Sequence, residues 1–155
     1  MEDKLRTLGL RLEGNYTLHS GAKSLVFWDV ERLFRYPYWV RVGAIKPFIW
    51  EIGIRKPELL VGVGEGGYKL AKDIARCLDL KVMDDTYHCN KKTTTFECLD
   101  TILIDDVMTT GGSIRRYLEE SNSVIAVAIL VNRSGLDEIS GIPIITGIHA
   151  DKVEI

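Results

Sequence analysis

Residues 101–120, TILIDDVMTTGGSIRRYLEE, constrain the fold more tightly than any other stretch of the chain. Four residues of buried-strand character, 101–104, run straight into the acidic pair Asp105 and Asp106. Val107, Met108, Thr109, Thr110, Gly111, Gly112 and Ser113 follow, and 114–120 has the pattern of a helix. A strand that turns directly into a helix belongs to a βα unit, whose helix must cover one face of a sheet. The turn also carries chemistry. Its glycines let several N–H groups point inward, Thr109, Thr110 and Ser113 add hydroxyl donors, and the helix aims its positive end at the same spot, a cradle for one phosphate. Ionised, Asp105 and Asp106 only accept hydrogen bonds, so beside a phosphate they need donors in between. Ribose 5-phosphate meets that demand, with its phosphate in the cradle and its 2- and 3-hydroxyls donating to the acids. The plainer alternative is two aspartates ending a strand and a Thr or Ser capping a helix.

Strands and helices alternate through the rest of the chain. A short helix is expected at 3–12, strands at 16–18 and 25–30 around the turn His19-Ser20-Gly21, and a helical stretch over 38–53 that Pro47 kinks or restarts. A strand over 58–64 leads to an amphipathic helix at 68–80, with Leu70, Ile74, Cys77 and Leu78 on one face, and a strand at 81–83. Residues 84–100, DDTYHCNKKTTTFECLD, are polar and aperiodic, hence a loop or mobile excursion. Strands at 124–131 and 143–148 complete a single α/β domain over 1–155 with an open, mostly parallel, twisted sheet flanked by helices. A second glycine-rich turn, VGVGEGGYKLA, follows the strand at 58–64; it fits G-x-G-x-x-G, with Asp84 and Asp85 about 20 residues on, as a dinucleotide site would have it. A tight turn that needs glycine for its backbone angles explains it equally well, and an anion site at a helix start is the functional reading.

Composition narrows the partners. The 155 residues carry a net charge of −2 with no basic tract, so a small-molecule ligand is expected rather than nucleic acid. No apolar run approaches the roughly 20 residues of a membrane span, and the charged start MEDKLRTLGLRLEGN lacks a signal-peptide core, so no membrane partner and a cytoplasmic location are expected. Cys77, Cys89 and Cys98 are odd in number without CxxC spacing, and all three are expected to be free thiols. A latch between Cys89 and Cys98, which flank the polar loop, is the alternative that the compartment argument disfavours.

The segment ILIDDVMTTGGS resembles the phosphoribosyl-pyrophosphate (PRPP) motif of the type I phosphoribosyltransferases. VGVGEGGYKLA resembles that family's pyrophosphate loop, YTLHSGAKSLVFWDVERL the start of the orotate branch, and ILVNR the strand in that branch whose terminal arginine meets the base. The resemblance implies an N-terminal hood and base-site segment over 1–35 and a PRPP-binding core over 57–155. It implies transfer of ribose 5-phosphate from PRPP to a nitrogenous base with release of pyrophosphate, in pyrimidine nucleotide synthesis, with Mg²⁺ held through PRPP rather than by direct protein ligands. PRPP and a nucleobase, or the product nucleotide, are then the partners. PRPP would bind through Asp105 to Ser113, pyrophosphate through Gly64, Glu65, Gly66 and Gly67, and the base near His19, Lys23, Phe27, Trp28 and Arg133. Asp105, Asp106, His88, Lys91 and Lys92 are the candidate catalytic residues. The chain departs from the branch in its shorter loop, in Gly66 where a lysine is frequent, and in His19 where a lysine is common.

Each candidate also has a plainer role. One of Phe27 and Trp28 should face the core and the other a pocket or solvent, since they alternate on a strand. Arg133 could be a solvated strand end or a bidentate donor for a base; Lys23, Lys91 and Lys92 could meet only water. The segment 34–50, with Tyr36, Tyr38, Trp39, Phe48 and Trp50, is a candidate homodimer contact or a completion of the core. A PRPP- or nucleotide-sensing regulator on the same fold, a purine-base transferase and a dinucleotide-dependent oxidoreductase are the competing functions.

Overall fold

The computed structural model describes residues 1–151. A six-stranded sheet has the order β4-β3-β5-β6-β8-β7, built from β3 (Leu59–Gly62), β4 (Lys81–Asp84), β5 (Thr101–Met108), β6 (Val124–Asn132), β7 (Glu138–Ile139) and β8 (Ile142–His149). All neighbours pair in parallel except β7, which runs antiparallel to β8 at the edge. Helices α1 (Glu2–Thr7), α2 (Tyr38–Ala44), α3 (Lys46–Gly53), α4 (Gly64–Leu78) and α5 (Gly112–Glu120) surround it. A separate antiparallel hairpin, β1 (Arg11–Thr17) with β2 (Lys23–Trp28), is followed by a 3-10 helix at Val30–Arg35. The α/β architecture with its mostly parallel sheet is the one expected from the sequence.

Alternation along β6 divides the core in two. Ala126, Ala128 and Leu130 face a larger cluster with Leu70 and Ile74 of α4, Phe48 and Ile52 of α3, and Leu5. Val127 and Ile129 face a smaller cluster with Ile114 and Tyr117 of α5. Such two-sided burial is why β6 reads as an uninterrupted apolar run.

Several expected boundaries move, each for a local reason. The first helix ends at Thr7 instead of residue 12, because Gly9 takes a left-handed φ of +80° and its N–H, with that of Leu10, bonds back to Arg6 and Leu5 carbonyls. Strand β5 continues through both aspartates to Met108, since β6 pairs with it as far as Asn132. Helix α4 starts at Gly64, so the glycines form its first turn. Pro47 lies at the start of α3 and restarts the helix.

The loop 85–100 differs most from expectation. Cys89 and Cys98 form a disulfide with Cα atoms 5.8 Å apart, while Cys77 is free and exposed. Ser121 Oγ donates to the Cys89 carbonyl (2.8 Å) and accepts from its N–H (3.1 Å), and Lys91 N–H donates to Asn122 Oδ1 at 2.7 Å. The hydroxyl of Tyr117 donates to the Tyr87 carbonyl. Of the two expectations, loop or mobile excursion, the segment is a loop tied to the far end of α5, where Tyr87 and Leu99 help cover the smaller cluster.

Candidate functional site

An open cleft of about 940 Å³ lies beyond the carboxyl ends of β3, β5 and β6, where open α/β sheets bind ligands. Its floor is the pair of turns recognised in the sequence. Gly111 has φ +80° and caps α5, so the chain reverses there and Thr110, Gly112 and Ser113 stand exposed at the cleft wall. Thr109, Thr110, Gly111, Gly112 and Ser113 all line the cleft with Asp105, Asp106, Val107 and Met108. Arg116, one turn beyond Ser113 on α5, lines it too. The sequence reading does not include this arginine, although its helical spacing from Ser113 places both on one side of α5.

The acidic pair is tightly held. Asp105 Oδ1 accepts the Asp106 N–H at 2.8 Å, and Asp106 Oδ1 accepts the Val107 N–H at 2.9 Å. Burial, then the neighbouring charges of Asp106 and Asp85, push the Asp105 carboxyl well above the usual carboxylate range. The second turn presses against the same carboxylates. A Cβ placed on Gly66 would stand 2.3 Å from Asp106 Oδ2, so glycine at 66 lets α4 approach the end of β5. Gly64, Glu65 and Gly66 line the cleft; Gly67 is buried behind them against the Ile104 carbonyl.

The hairpin roofs the cleft. Phe27 is 37% exposed and stacks on Tyr16 with ring centres 5.4 Å apart, whereas Trp28 is 4% exposed, the alternation expected of the strand. Both line the cleft, as does His19. Lys23 does not, and its Nζ donates to Thr17 Oγ1 at 2.8 Å. Arg133 reaches the cleft, yet its donors go to the protein. Its Nη1 donates to the Val26 carbonyl at 2.9 Å, Nη2 to Ser24 Oγ at 2.8 Å and Nε to the Asp151 carbonyl at 3.3 Å. Burial draws this guanidinium below its usual pKa. Arg133 therefore clamps hairpin to sheet at the cleft wall and is not the solvated strand end that was one of its two expected roles.

On the loop side His88 lines the cleft, stacked on Tyr117 at 4.6 Å with its Nε2 3.4 Å from Glu120 Oε2. The Tyr117 hydroxyl is pushed up to about 12 by burial. Lys91 and Lys92 are exposed on the loop and stand outside the cleft wall. Asp85, one of the two acids whose spacing fits the dinucleotide reading, accepts the Gly64 N–H on Oδ2 at 3.0 Å. No cluster of three or more His, Cys, Asp or Glu side chains is arranged to hold a metal ion among the described residues. No helix among them is long and apolar enough to cross a membrane.

No family model matches the chain. The transcriptional regulator GfcR of Methanococcus vannielii is 32% identical over 101 residues, which span 55% of this chain and 49% of the regulator. The chain thus covers about half the length of that curated relative. The orotate phosphoribosyltransferase of Heliobacterium modesticaldum is 26% identical over 151 residues, 91% of this chain and 79% of that protein. The crystal structure of orotate phosphoribosyltransferase from Aeropyrum pernix superimposes with a TM-score of 0.73 at 24% identity, covering 94% of this chain and 91% of that one.

Proposed function

We propose that this chain, which has the fold of the type I phosphoribosyltransferases, transfers the ribose 5-phosphate of PRPP to the nitrogen of a base, with a pyrimidine such as orotate the first candidate. The observation that carries this reading is the meeting of the 109–113 cradle and the Asp105–Asp106 pair in one cleft with the aromatic roof of Phe27. A phosphate at the start of α5 leaves the ribose over the two carboxylates, whose charge favours a ring that becomes electron-poor. The nitrogen lone pair forms the new bond at C1 while the C1–oxygen bond breaks and its electron pair leaves on pyrophosphate. Phe27 offers a face on which a base stacks. Mg²⁺ fits the residues present if it is held with PRPP near Asp105 and Asp106, where it would supply positive charge against the leaving group.

The test is Mg²⁺-dependent pyrophosphate release from PRPP with orotate, uracil, adenine and hypoxanthine in turn. Release with one of them supports the transferase. Tight PRPP binding without release from any of them supports the second reading, a PRPP- or nucleotide-sensing regulator. That reading draws on the match to GfcR and on a loop whose lysines lie outside the cleft. Replacing Lys91 and Lys92 together with alanine separates the two. In a transferase whose loop closes over pyrophosphate, kcat falls much more than PRPP affinity. In a regulator only a modest, salt-dependent loss of PRPP affinity follows. A homodimer is also proposed, because Trp39 and Trp50 are 75% and 62% exposed and large rings favour interface cores; a monomer mass by light scattering would end that idea.

A further inference from the structure

The two glycine-rich turns of the cleft differ in what already occupies them. At the start of α5 the hydroxyls of Thr109, Thr110 and Ser113 face the cleft and make no hydrogen bond to protein among the described residues. At the start of α4, a carboxylate of the chain itself is in place: Asp85 Oδ2 accepts the Gly64 N–H. Asp85 is aimed there by its neighbours. Strand β4 pairs with β3 so that Asp84 lies opposite Gly62, at the end of the strand that feeds α4. Asp84 Oδ1 then takes the N–H of Thr86 at 3.0 Å, together with the Thr86 hydroxyl, which turns the chain and leaves Asp85 facing Gly64. The cystine loop that follows is anchored on Ser121 and Asn122, so the segment carrying Asp85 is fixed at both ends.

A carboxylate and a pyrophosphate oxygen make the same demand on that N–H and on the positive end of α4. Both cannot have it. Asp85 also adds its charge to those of Asp105 and Asp106, which line the same cleft, so a polyanion entering at α4 meets three carboxylates. A single phosphate at α5 meets Arg116 and an open set of donors.

We infer that Asp85 is an internal occupant of the pyrophosphate half of the cleft and sets its ligand preference toward ribose 5-phosphate compounds without a 1-pyrophosphate, the class that includes nucleoside 5′-monophosphates, and against PRPP. The inference rests on the ribose 5-phosphate reading of the cleft, and it holds for either proposed role. In a transferase Asp85 must leave Gly64 before PRPP seats, and the nucleotide product is held tightly. In a regulator the sensed ligand is the nucleotide.

Calorimetric titration of the full chain and of Asp85→Asn with ribose 5-phosphate, PRPP and inorganic pyrophosphate, each with Mg²⁺, tests it. Asparagine keeps the size and one acceptor but removes the charge, and Asp85→Ala is the second variant should asparagine hold its place on Gly64. Thermal melts establish that both are folded. The expected result is unchanged ribose 5-phosphate affinity and PRPP and pyrophosphate affinities at least about tenfold higher in a variant, the loss of roughly one charge-assisted hydrogen bond in competition. Equal or weaker PRPP and pyrophosphate binding in both folded variants overturns the inference, weaker binding meaning that Asp85 helps hold the Mg²⁺ complex. If ribose 5-phosphate binds none of the proteins, the ribose 5-phosphate reading fails; pyrophosphate binding still decides whether Asp85 occupies the α4 turn.

Discussion

Two strand-to-helix turns face each other across one cleft, and the sequence makes them look alike: glycines, a helix start and open N–H groups. Their surroundings make them opposites. The turn into α4 is packed from behind, with Gly67 against the Ile104 carbonyl and Gly66 against the Asp106 carboxylate. Its helix is buried in the larger core cluster through Leu70, Ala71 and Ile74. At the turn into α5 Gly111 is buried beside Ile139 but Thr110, Gly112 and Ser113 are exposed, and its helix contributes only Ile114 and Tyr117 as buried residues. Similar glycine motifs thus sit in close packing at α4 and beside exposed hydroxyls at α5, so a glycine pattern alone does not say what its turn is for.

The largest expected effect tests what supports α5. Its C-terminal end is braced by the cystine loop, whereas α4 has no contact with the disulfide in its packing cluster. Closing a loop with sequence separation 9 contributes about 3 kcal/mol in the chain-entropy account. Cys89→Ser with Cys98→Ser should lower stability by about that much in denaturant unfolding. Hydrogen exchange should rise over α5 while α4 stays protected; equal exchange in the two helices would break the comparison. Next is a pair of alanine substitutions. In Gly67→Ala the new Cβ would meet the Ile104 carbonyl oxygen at 2.6 Å, which forces strand and helix apart and should cost about 1–3 kcal/mol. In Gly112→Ala the nearest neighbour of the new Cβ is Thr110 Oγ1 at 3.8 Å, so stability should change by no more than about 0.5 kcal/mol. Parallel thermal melts decide it.

A smaller effect concerns the acids between the turns. Because the Asp105 pKa is raised in the folded chain above its ordinary 3.8, the protonated group favours folding. That contribution is fully present below pH 3.8 and is lost as pH rises through the raised value. Asp105→Asn should therefore flatten this part of the stability-pH curve and raise the melting temperature of the unliganded chain at neutral pH, while weakening ribose binding. A variant no more stable than the parent at neutral pH would contradict the buried-charge account.

How much of this was legible beforehand follows from how local each cause is. That residues 109–113 and the acidic pair line one cleft, and that Phe27 alternates with Trp28, are consequences of adjacent residues, which is why these placements are legible in the sequence. Helix α4 starts four residues before the expected position because Gly64, Gly66 and Gly67 are poor helix formers that packing against β5 nevertheless holds in a helix. The clamp made by Arg133 is not legible in the sequence because its acceptors, Ser24 and Val26, lie more than 100 positions away. The pairing of Cys89 with Cys98 depends on a loop path set by Ser121 and Asn122, which no spacing rule contains. In the sequence Asp85 stands out only, with Asp84, by its distance from the glycine-rich turn, and its bond to Gly64 needs the register of β4 against β3 to become visible.

In the proposed reading a single phosphate seats at the start of α5 and not at the start of α4. Amide chemical-shift mapping of the 15N-labelled chain titrated with ribose 5-phosphate tests it directly. Saturable shifts should concentrate at residues 110–114 with little change at Gly64, and PRPP should move both sets only at higher concentration. Shifts led by Gly64 and its neighbours in α4, or no saturable shift at 110–114, would contradict it.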